Sequence, residues 1–409
     1  MGDSYVRILE PDEYGTAARV VTQGMLGNST DEVVDAWAKT WKPGECHGGF
    51  TADDRLVGIV RWFRDELSTP GGTLPAAGVT AVAVLSTHRR QGHLTRLMNA
   101  QLDHIRAAGV PIAVLIAAEW PIYGRFGYGP AMDACAYEID TGAARFRDAA
   151  TGSIDLVSPS ELRPHLEAVH GERWARTPGS LRRSGDAWDH MAGVVKWPGD
   201  KSDPGQLRGA IWCDDAGEVR GAVSYRVVDA WHRNRPAGKA ETIMLAGATP
   251  EAERELWRHL CELDWVSTVT GGLRAVDDPL PLFLVDGRAA TQTERSDAVW
   301  ARILDLPEVF AARRAELPAR IVLEVSDPQG HAAGRWAVEV SPDGGAASTT
   351  DEPADVELGI DALSALYFGG HPARRFADAG WVTERSAGAV DRLGAMLATP
   401  TAPWSTTSY

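Results

Sequence analysis

The sequence predicts an α/β protein with mixed sheets, divided into two or three domains. The chain has 409 residues, which is more than one hydrophobic core usually accommodates. A buried strand, a glycine-containing turn, an amphipathic helix and a second buried strand follow one another in the first third of the chain. The same order recurs in weaker form in the middle third, which indicates an internal duplication.

The elements of the first region are identified by caps, periodicity and turn residues. We expect, in order, a capped helix, a strand ending in two aromatic residues, a loop, a β-branched strand, an amphipathic helix and an apolar strand: Ser29–Trp41, Leu56–Arg64, Gly71–Pro75, Val79–Leu85, His93–Ala107 and Ile112–Ala118. The order of these elements predicts one α/β unit.

The second and third regions are predicted in the same way. The second has a helix, a hairpin, an apolar strand and a helix with Pro at its first position: Ser158–Trp174, Leu207–Cys213 with Gly221–Val228, Ala240–Ala246 and Thr249–Leu263. The third has two strands, a small-residue loop and two helices: Arg320–Val325, Gly334–Val340, Gly344–Ala346, Asp361–Tyr367 and Ser386–Leu397. We therefore place domains at residues 1–150, 151–288 and 289–409.

Charge and cysteine content exclude several classes of function. The formal net charge is −15, so most of the surface repels a phosphate backbone and nucleic acid is not an expected partner. A cationic small molecule or basic peptide is favoured instead. The four cysteines lie far apart and form no metal-ligand or disulfide pattern. With no expected leader or membrane span, we predict a cytoplasmic protein without a metal.

The segment Val82–Leu94 carries the clearest chemical signal. A strand ends, a short basic turn with one glycine follows, and a helix begins at once. The unpaired N–H groups of a helix start attract anions, and phosphate is the usual ligand. Arg89 and Arg90 add positive charge, and Gly92 allows close approach of a ligand to the backbone. The alternative is a solvated turn that binds nothing.

A second segment, Glu119–Pro130, follows the next apolar strand and is dense in glycine and aromatic residues. Together, T-H-R-R-x-G-x-L at Thr87–Leu94 and I-Y-G-R-F-G-Y-G-P-A at Ile122–Ala131 resemble the Eis (enhanced intracellular survival) aminoglycoside N-acetyltransferases of the GCN5-related (GNAT) superfamily. The resemblance implies tandem GNAT-like domains, the second degenerate, followed by a sterol-carrier-like domain. It also implies acetyl-CoA as co-substrate and a homo-hexamer built as a dimer of trimers.

The same resemblance implies roles for single residues. Val82, Ala83 and Val84 would bind the pantetheine arm, with the Val84 amide polarising the thioester carbonyl. The pyrophosphate would lie on a second group: Arg89, Arg90, Gly92, His93 and Leu94. Tyr123 would protonate the departing thiolate, and the carboxylate of the C-terminal Tyr409 would act as base.

Residues for the acceptor are less clearly marked. Asp31, Glu32 and Asp35 could attract a cationic acceptor, or they could simply stabilise the start of their helix. Trp37 and Trp41 could line a substrate pocket or pack in the core. Glu119 is an alternative base or a structural partner of Arg125.

We therefore expect an acetyl-CoA-dependent N-acetyltransferase that acts on amines of polycationic small molecules, aminoglycosides foremost. Two alternatives stay open: a lysine acetyltransferase acting on proteins, and a scaffold protein that binds lipid or CoA. In the second region, acids at Glu251 and Glu253 replace the arginines of the first, so we predict a copy that binds no pyrophosphate.

Overall fold

The computed structural model describes residues 4–27, 30–183, 185–195 and 206–405, which form two compact units. Unit 1 contains the described residues up to Met132 together with Asp297–Pro400. Unit 2 contains those of Asp133–Ser296 and the tail from Thr401 onward. The chain thus leaves unit 1, returns to it, and enters unit 2 again shortly before its end.

The helices and strands follow the predicted order. Those of the first region are β1 Tyr5–Ile8, α1 Tyr14–Gly24, α2 Asp31–Ala38, β2 Cys46–Phe50, β3 Leu56–Thr69, β4 Gly72–Val84, α3 His93–Ala107, β5 Ile112–Leu115 and α4 Trp120–Tyr123. The next are β6 Gly129–Asp140, β7 Ser153–Val157, α5 Pro159–Trp174, α6 Gly185–Ala192, β8 Arg208–Cys213, β9 Val219–Val228, β10 Trp231–His232, β11 Arg235–Pro236, β12 Gly238–Gly247, α7 Pro250–Cys261, β13 Val266–Arg274, α8 Leu280–Phe283 and β14 Ala290–Ile303.

The third region begins after β14. Its elements are α9 Leu306–Ala311, β15 Ala319–Ser326, β16 Gly334–Ser341, β17 Gly344–Thr349, β18 Val356–Gly359, α10 Ile360–Leu366, α11 Ala373–Asp378, β19 Val382–Glu384 and α12 Ala389–Leu397. Its five strands form one sheet in the order β17-β16-β15-β18-β19. Among the described residues, no helix is long and apolar enough to cross a membrane.

The two repeats build sheets of the same topology. In unit 1, β1 to β4 pair antiparallel in order, β5 lies parallel to β4, and β14 lies antiparallel to β5. In unit 2, β7, β8, β9 and β12 pair antiparallel, β13 lies parallel to β12, and β6 lies antiparallel to β13. Each sheet therefore takes its sixth strand from the other repeat. This exchange could not be read from the sequence, and the three predicted boundaries stay a prediction.

Two local predictions were wrong. Gly344–Ala346, expected as a loop, begins strand β17 and pairs with β16. Pro75, expected in a loop, lies inside β4 opposite Glu66, and the turn is confined to Pro70 and Gly71. In both places the residue types favoured a loop, but pairing with a neighbouring strand determined the structure.

Helix α3 packs its apolar face on the first sheet. The residues it buries there are Leu97, Met98, Leu102 and Ile105. They join one core cluster with residues of β3, β4, β5 and α4. The start of α3 is thereby fixed beside the carboxyl end of β4, where the chemically informative residues lie.

Candidate functional site

Strands β4 and β5 diverge at the site. Their described residue pairs end at Gly78 with Val114, whereas β4 continues to Val84 along β3. The ladder with β3 shifts register just before Ala83, and Ala81 has a φ of +53°, which is unusual for a residue with a Cβ. A bulge of this kind turns a strand away from its neighbour. We call the resulting gap beside Val82–Val84 the first notch.

The turn after β4 leads directly into the N-terminus of α3, whose first backbone N–H groups have no partner within the helix. Arg90 and Gly92 have φ values of +62° and +81°, and Gly92 is the N-cap of α3. The first turn of α3 contains no acidic residue, so the positive end of the helix dipole is not neutralised locally. The corner is therefore suited to a phosphate group.

Arg89 and Arg90 occupy different positions at this corner. The Arg89 guanidinium donates to the carbonyl of Gly24 at 2.7 Å and to that of Val84 at 3.4 Å, which ties the end of α1 to the end of β4. Arg90 is exposed. Arg89 is exposed as well, but its guanidinium is engaged by two backbone carbonyls.

Arg96 is a cation that the sequence reading missed. It lies in the first turn of α3 and donates to the carbonyl of Gln91 at 3.0 Å. A Cβ built on Gly92 would lie 3.1 Å from its guanidinium, so this group lies next to the Gly92 backbone. The signal was available in the sequence, since the fourth residue of a helix is close to its N-terminal amides.

His93 and Leu94 contribute shape rather than charge. His93 is buried, and burial, followed by Arg96 and His88, lowers the pKa of its imidazole below the usual value. Leu94 is half-buried and packs on the cluster that also includes Val82 and Val84. Leu94 therefore contributes apolar surface beside Val82 and Val84.

Tyr123 belongs to the same apolar cluster as Val82, Val84 and Leu94. It is buried, and burial followed by the charge of Glu119 raises the pKa of its phenol to about 12. An ordinary tyrosine has a pKa near 10, so this phenol is a weaker acid than usual. It keeps its proton throughout the neutral and mildly alkaline range.

Arg302 binds the backbone of the loop after Tyr123. This guanidinium is buried, donates to the carbonyl of Phe126 at 2.8 Å and forms a 2.7 Å ion pair with Asp327. Both side chains of the pair are fully enclosed. Because breaking such a pair would leave an uncompensated buried charge, the backbone next to Tyr123 is firmly positioned.

The acceptor candidates are not all gathered at the notch. Asp31 and Asp35 share Arg19, with N–O distances of 3.0 and 3.1 Å. Trp37 is half-buried, packs edge-on against the buried Trp41, and belongs to the cluster beneath α1. Glu119 is exposed beside α4, and its charge reaches Tyr123. Only Glu119 is thereby linked to the phenol.

Tyr409, the predicted base, lies outside the described residues. The described chain ends at Ser405 in the tail of unit 2. Among the described residues there is also no group of three or more His, Cys, Asp or Glu side chains placed to hold a metal ion.

The residues present fit a CoA thioester. An extended pantetheine chain needs free strand backbone, which β4 offers where its pairing with β5 has ended. A diphosphate needs convergent N–H groups and cations, which the start of α3, Arg90 and Arg96 provide. Gly92 leaves this corner open where a Cβ would crowd Arg96.

Family models match the chain in series. An acetyltransferase (GNAT) domain matches residues 5–131, a second acetyltransferase (GNAT) domain matches residues 179–303, and a sterol carrier protein domain matches residues 306–406. This order confirms the predicted fold class of two related domains followed by a sterol-carrier-like domain.

Individual proteins agree with these models over most of the chain. An uncharacterized N-acetyltransferase of Streptomyces griseus is 35% identical, with 98% of each chain aligned. The N-acetyltransferase Eis of Mycobacterium tuberculosis is 36% identical over 84% of this chain and 83% of its own length. The crystal structure of Eis1 from Mycobacterium abscessus matches the full length of both chains with a TM-score of 0.86 at 29% identity.

Proposed function

The chain belongs to the Eis family of GCN5-related N-acetyltransferases, and from that premise we propose that it acetylates amines of polycationic small molecules such as aminoglycosides. Acetyl-CoA is the acyl donor that a GNAT fold implies. The observation that carries the proposal is the joining of Val82, Val84, Leu94 and Tyr123 in one cluster beside the open corner of α3. This clustering supports a role for these residues in both thioester binding and proton donation.

The cofactor is proposed to lie along the first notch. Val82, Ala83 and Val84 would bind the pantetheine arm through their backbone, and the Val84 N–H would stabilise charge on the carbonyl oxygen. Arg90, Gly92 and the start of α3 would hold the pyrophosphate, with Arg96 as an additional cation. Arg89 would act by fixing the strand end. When bound, acetyl-CoA supplies an activated acyl group.

Tyr123 is proposed as the proton donor to the departing sulfur. With its pKa near 12, the phenol is fully protonated at neutral pH and donates a hydrogen bond at once. Burial raises the pKa of a thiol in the same direction, so the acidities of donor and leaving group move together. We expect turnover to show no loss from ionisation of Tyr123 below about pH 10.

The base is proposed to be the carboxylate of Tyr409, as in the family that the chain resembles. A carboxylate can take the ammonium proton directly or through water before the amine attacks. Glu119 is the alternative, and Glu119→Gln would lower turnover only if that carboxylate is the base. If the Tyr409 carboxylate is the base, removal of Tyr409 would lower turnover.

The acceptor class is inferred from charge. A net charge of −15 attracts cations in general, and Asp31 and Asp35 become available to a polycation that competes with Arg19. Following the family resemblance, we also propose a cytoplasmic homo-hexamer. Light scattering tests the assembly by comparing its mass with the 44.0 kDa of one chain.

The direct test is release of free CoA thiol from acetyl-CoA in the presence of a panel of amines. We expect turnover with several aminoglycosides and polyamines, and weaker turnover with lysine peptides. Faster turnover on lysine-containing proteins would favour a protein acetyltransferase instead. Calorimetric binding of CoA without acetyl transfer to any amine would favour a scaffold protein.

Tyr123→Phe provides the test of mechanism. We expect turnover to fall by about 100-fold or more, because general acid catalysis commonly contributes that much, while KM for acetyl-CoA changes less than about threefold. Tyr367→Phe is a matched control, since it removes a buried hydroxyl bonded to the Val309 carbonyl in the third region. Equal turnover in the wild type and Tyr123→Phe would exclude the phenol as acid.

A further inference from the structure

The second repeat contains a notch like the first. Pairing of β12 with β13 ends at Thr242 with Gly271, while β12 continues along β9 to Gly247. The ladder of β12 with β9 shifts register between Thr242 and Met244, just as the ladder of β4 with β3 shifts before Ala83. We call the gap beside Met244–Ala246 the second notch.

A tryptophan from the end of the chain occupies the second notch. Trp404 is only 4% exposed and lines a small cavity with Met244, Leu245 and Ala246. Its backbone N–H donates to the Pro178 carbonyl at 2.9 Å. Two residues earlier, the amide of Ala402 donates to Asp277 at 2.7 Å. The tail is thus held by an indole ring and by two backbone N–H groups, one bonded to a carbonyl and one to a carboxylate.

Two guanidinium groups lie close to the Trp404 ring. The guanidinium carbons (Cζ) of Arg173 and Arg274 are 4.8 and 5.1 Å from the centroid of the Trp404 ring. Cations at this distance are attracted by the π system, most strongly where water is excluded. Glu253 forms ion pairs with both arginines and so reduces their mutual repulsion. The charges around the ring are arranged to hold an aromatic side chain.

The backbone of β13 is also adapted to the indole. Leu273 has a φ of +51°, and the ladder of β13 with β6 shifts register between Gly271 and Arg274. The Leu273 carbonyl accepts a hydrogen bond from the Trp404 Nε1–H at 2.6 Å. A leucine rarely adopts this conformation, and such outliers persist where the surrounding structure requires them. The bulge provides the acceptor that a buried indole needs.

We propose that the second notch is a docking site for the chain's own C-terminal segment, with Trp404 as its anchor. The anchor is a positioning residue for the terminal carboxylate, a role that rests on the function proposed above. Tyr409 follows Trp404 by five positions, so a fixed Trp404 keeps Tyr409 within about 18 Å. Docking thereby limits the volume that the carboxylate explores.

The test compares the full-length wild type with Trp404→Ala and Trp404→Phe. Hydrogen exchange measured by mass spectrometry reports the tail amides at positions 402 and 404, and steady-state kinetics reports turnover and KM. Trp265→Ala is the matched control, because Trp265 lies in the same unit and is exposed. If Trp404→Ala does not fold, Asp277→Ala replaces it, since Asp277 is exposed and bonds the tail.

In Trp404→Ala we expect the tail amides to exchange at least tenfold faster and turnover to fall at least tenfold. KM for acetyl-CoA should change less than threefold. Trp404→Phe keeps an aromatic ring beside the two arginines but lacks the Nε1–H donor, so it should show only part of both effects. In Asp277→Ala we expect at least threefold faster exchange.

Unchanged tail exchange in Trp404→Ala, or in Asp277→Ala where it is the variant used, would overturn the docking site. Faster exchange with unchanged turnover would overturn the positioning role. A wild type without turnover on any amine would refute the proposed function and the positioning role, and exchange alone would then decide whether the tail docks.

Discussion

The two repeats share one sheet topology but treat the corner between strand and helix in opposite ways. In the first, α3 begins after Gly92 and carries no acid in its first turn. In the second, α7 begins after Thr249, whose hydroxyl accepts from the Ala252 amide, and Glu251 and Glu253 follow. The helix dipole is thus left free in one repeat and matched by side chains in the other.

The contrast is sharpest at the fourth helical residue. This residue is Arg96 in α3 and Glu253 in α7. Arg96 lies next to the Gly92 backbone, whereas Glu253 is buried in ion pairs with Arg173 and Arg274. The second repeat therefore carries its anion within the chain. The same fold element thus carries a cation at this position in one repeat and a carboxylate of its own chain in the other.

The largest effect is expected from Glu253→Gln. Loss of this carboxylate removes an ion-pair partner from Arg173 and one of two from Arg274, which keeps Asp278, so we expect unit 2 to be destabilised by about 3 kcal/mol. Hydrogen exchange of α7 and β12 measures the change locally. Glu251→Gln, an exposed site in the same turn, should cost less than about 1 kcal/mol. Equal stability of the two variants would show that Glu253 is not an internal anion of consequence.

The next effect is expected from Arg96→Glu, which gives the first corner the charge found in the second. We expect KM for acetyl-CoA to rise by about 100-fold, equivalent to about 2.7 kcal/mol, with little change in turnover at saturation. Arg64→Glu, on the exposed face of β3, is the control for net charge. A normal KM in Arg96→Glu would mean that Arg96 does not face the diphosphate.

The smallest effect is expected at the bulge of β4. Ala81→Val places a β-branched side chain at a φ of +53°, so we expect a loss of about 1–2 kcal/mol in the free energy of unfolding. Ala81→Gly should keep the equilibrium constant of unfolding and the turnover rate within twofold of the wild-type values. Thermal unfolding of both variants gives the comparison, and equal stability of the valine and alanine forms would show that the bulge is not strained.

The sequence was informative where local chemistry determines structure. Helix α3 was predicted with its observed bounds because its apolar spacing and the preceding glycine agree. The structure brings Leu94 of the basic turn and Tyr123 of the aromatic segment into one cluster, and the roles of both residues stay predictions.

Other features depend on contacts distant in sequence. Arg89 bonds the carbonyl of Gly24, and Trp404 lies against β12 and β13. Neither contact produces a local pattern in the sequence. The pKa of Tyr123 depends on burial, which only the packed structure determines. The bulges at Ala81 and Leu273 occupy residues with no preference for positive φ, so local propensity predicts neither.

The exchange of sixth strands has a consequence for biosynthesis. Strand β5 ends at Leu115, but the strand that covers its edge is complete only at Ile303. Roughly 190 residues separate the two, which a ribosome adds in about 10–40 seconds. During this interval the nascent first repeat presents an open edge, a surface that invites aggregation. Protection of that edge by a chaperone until β14 emerges would suit such a topology.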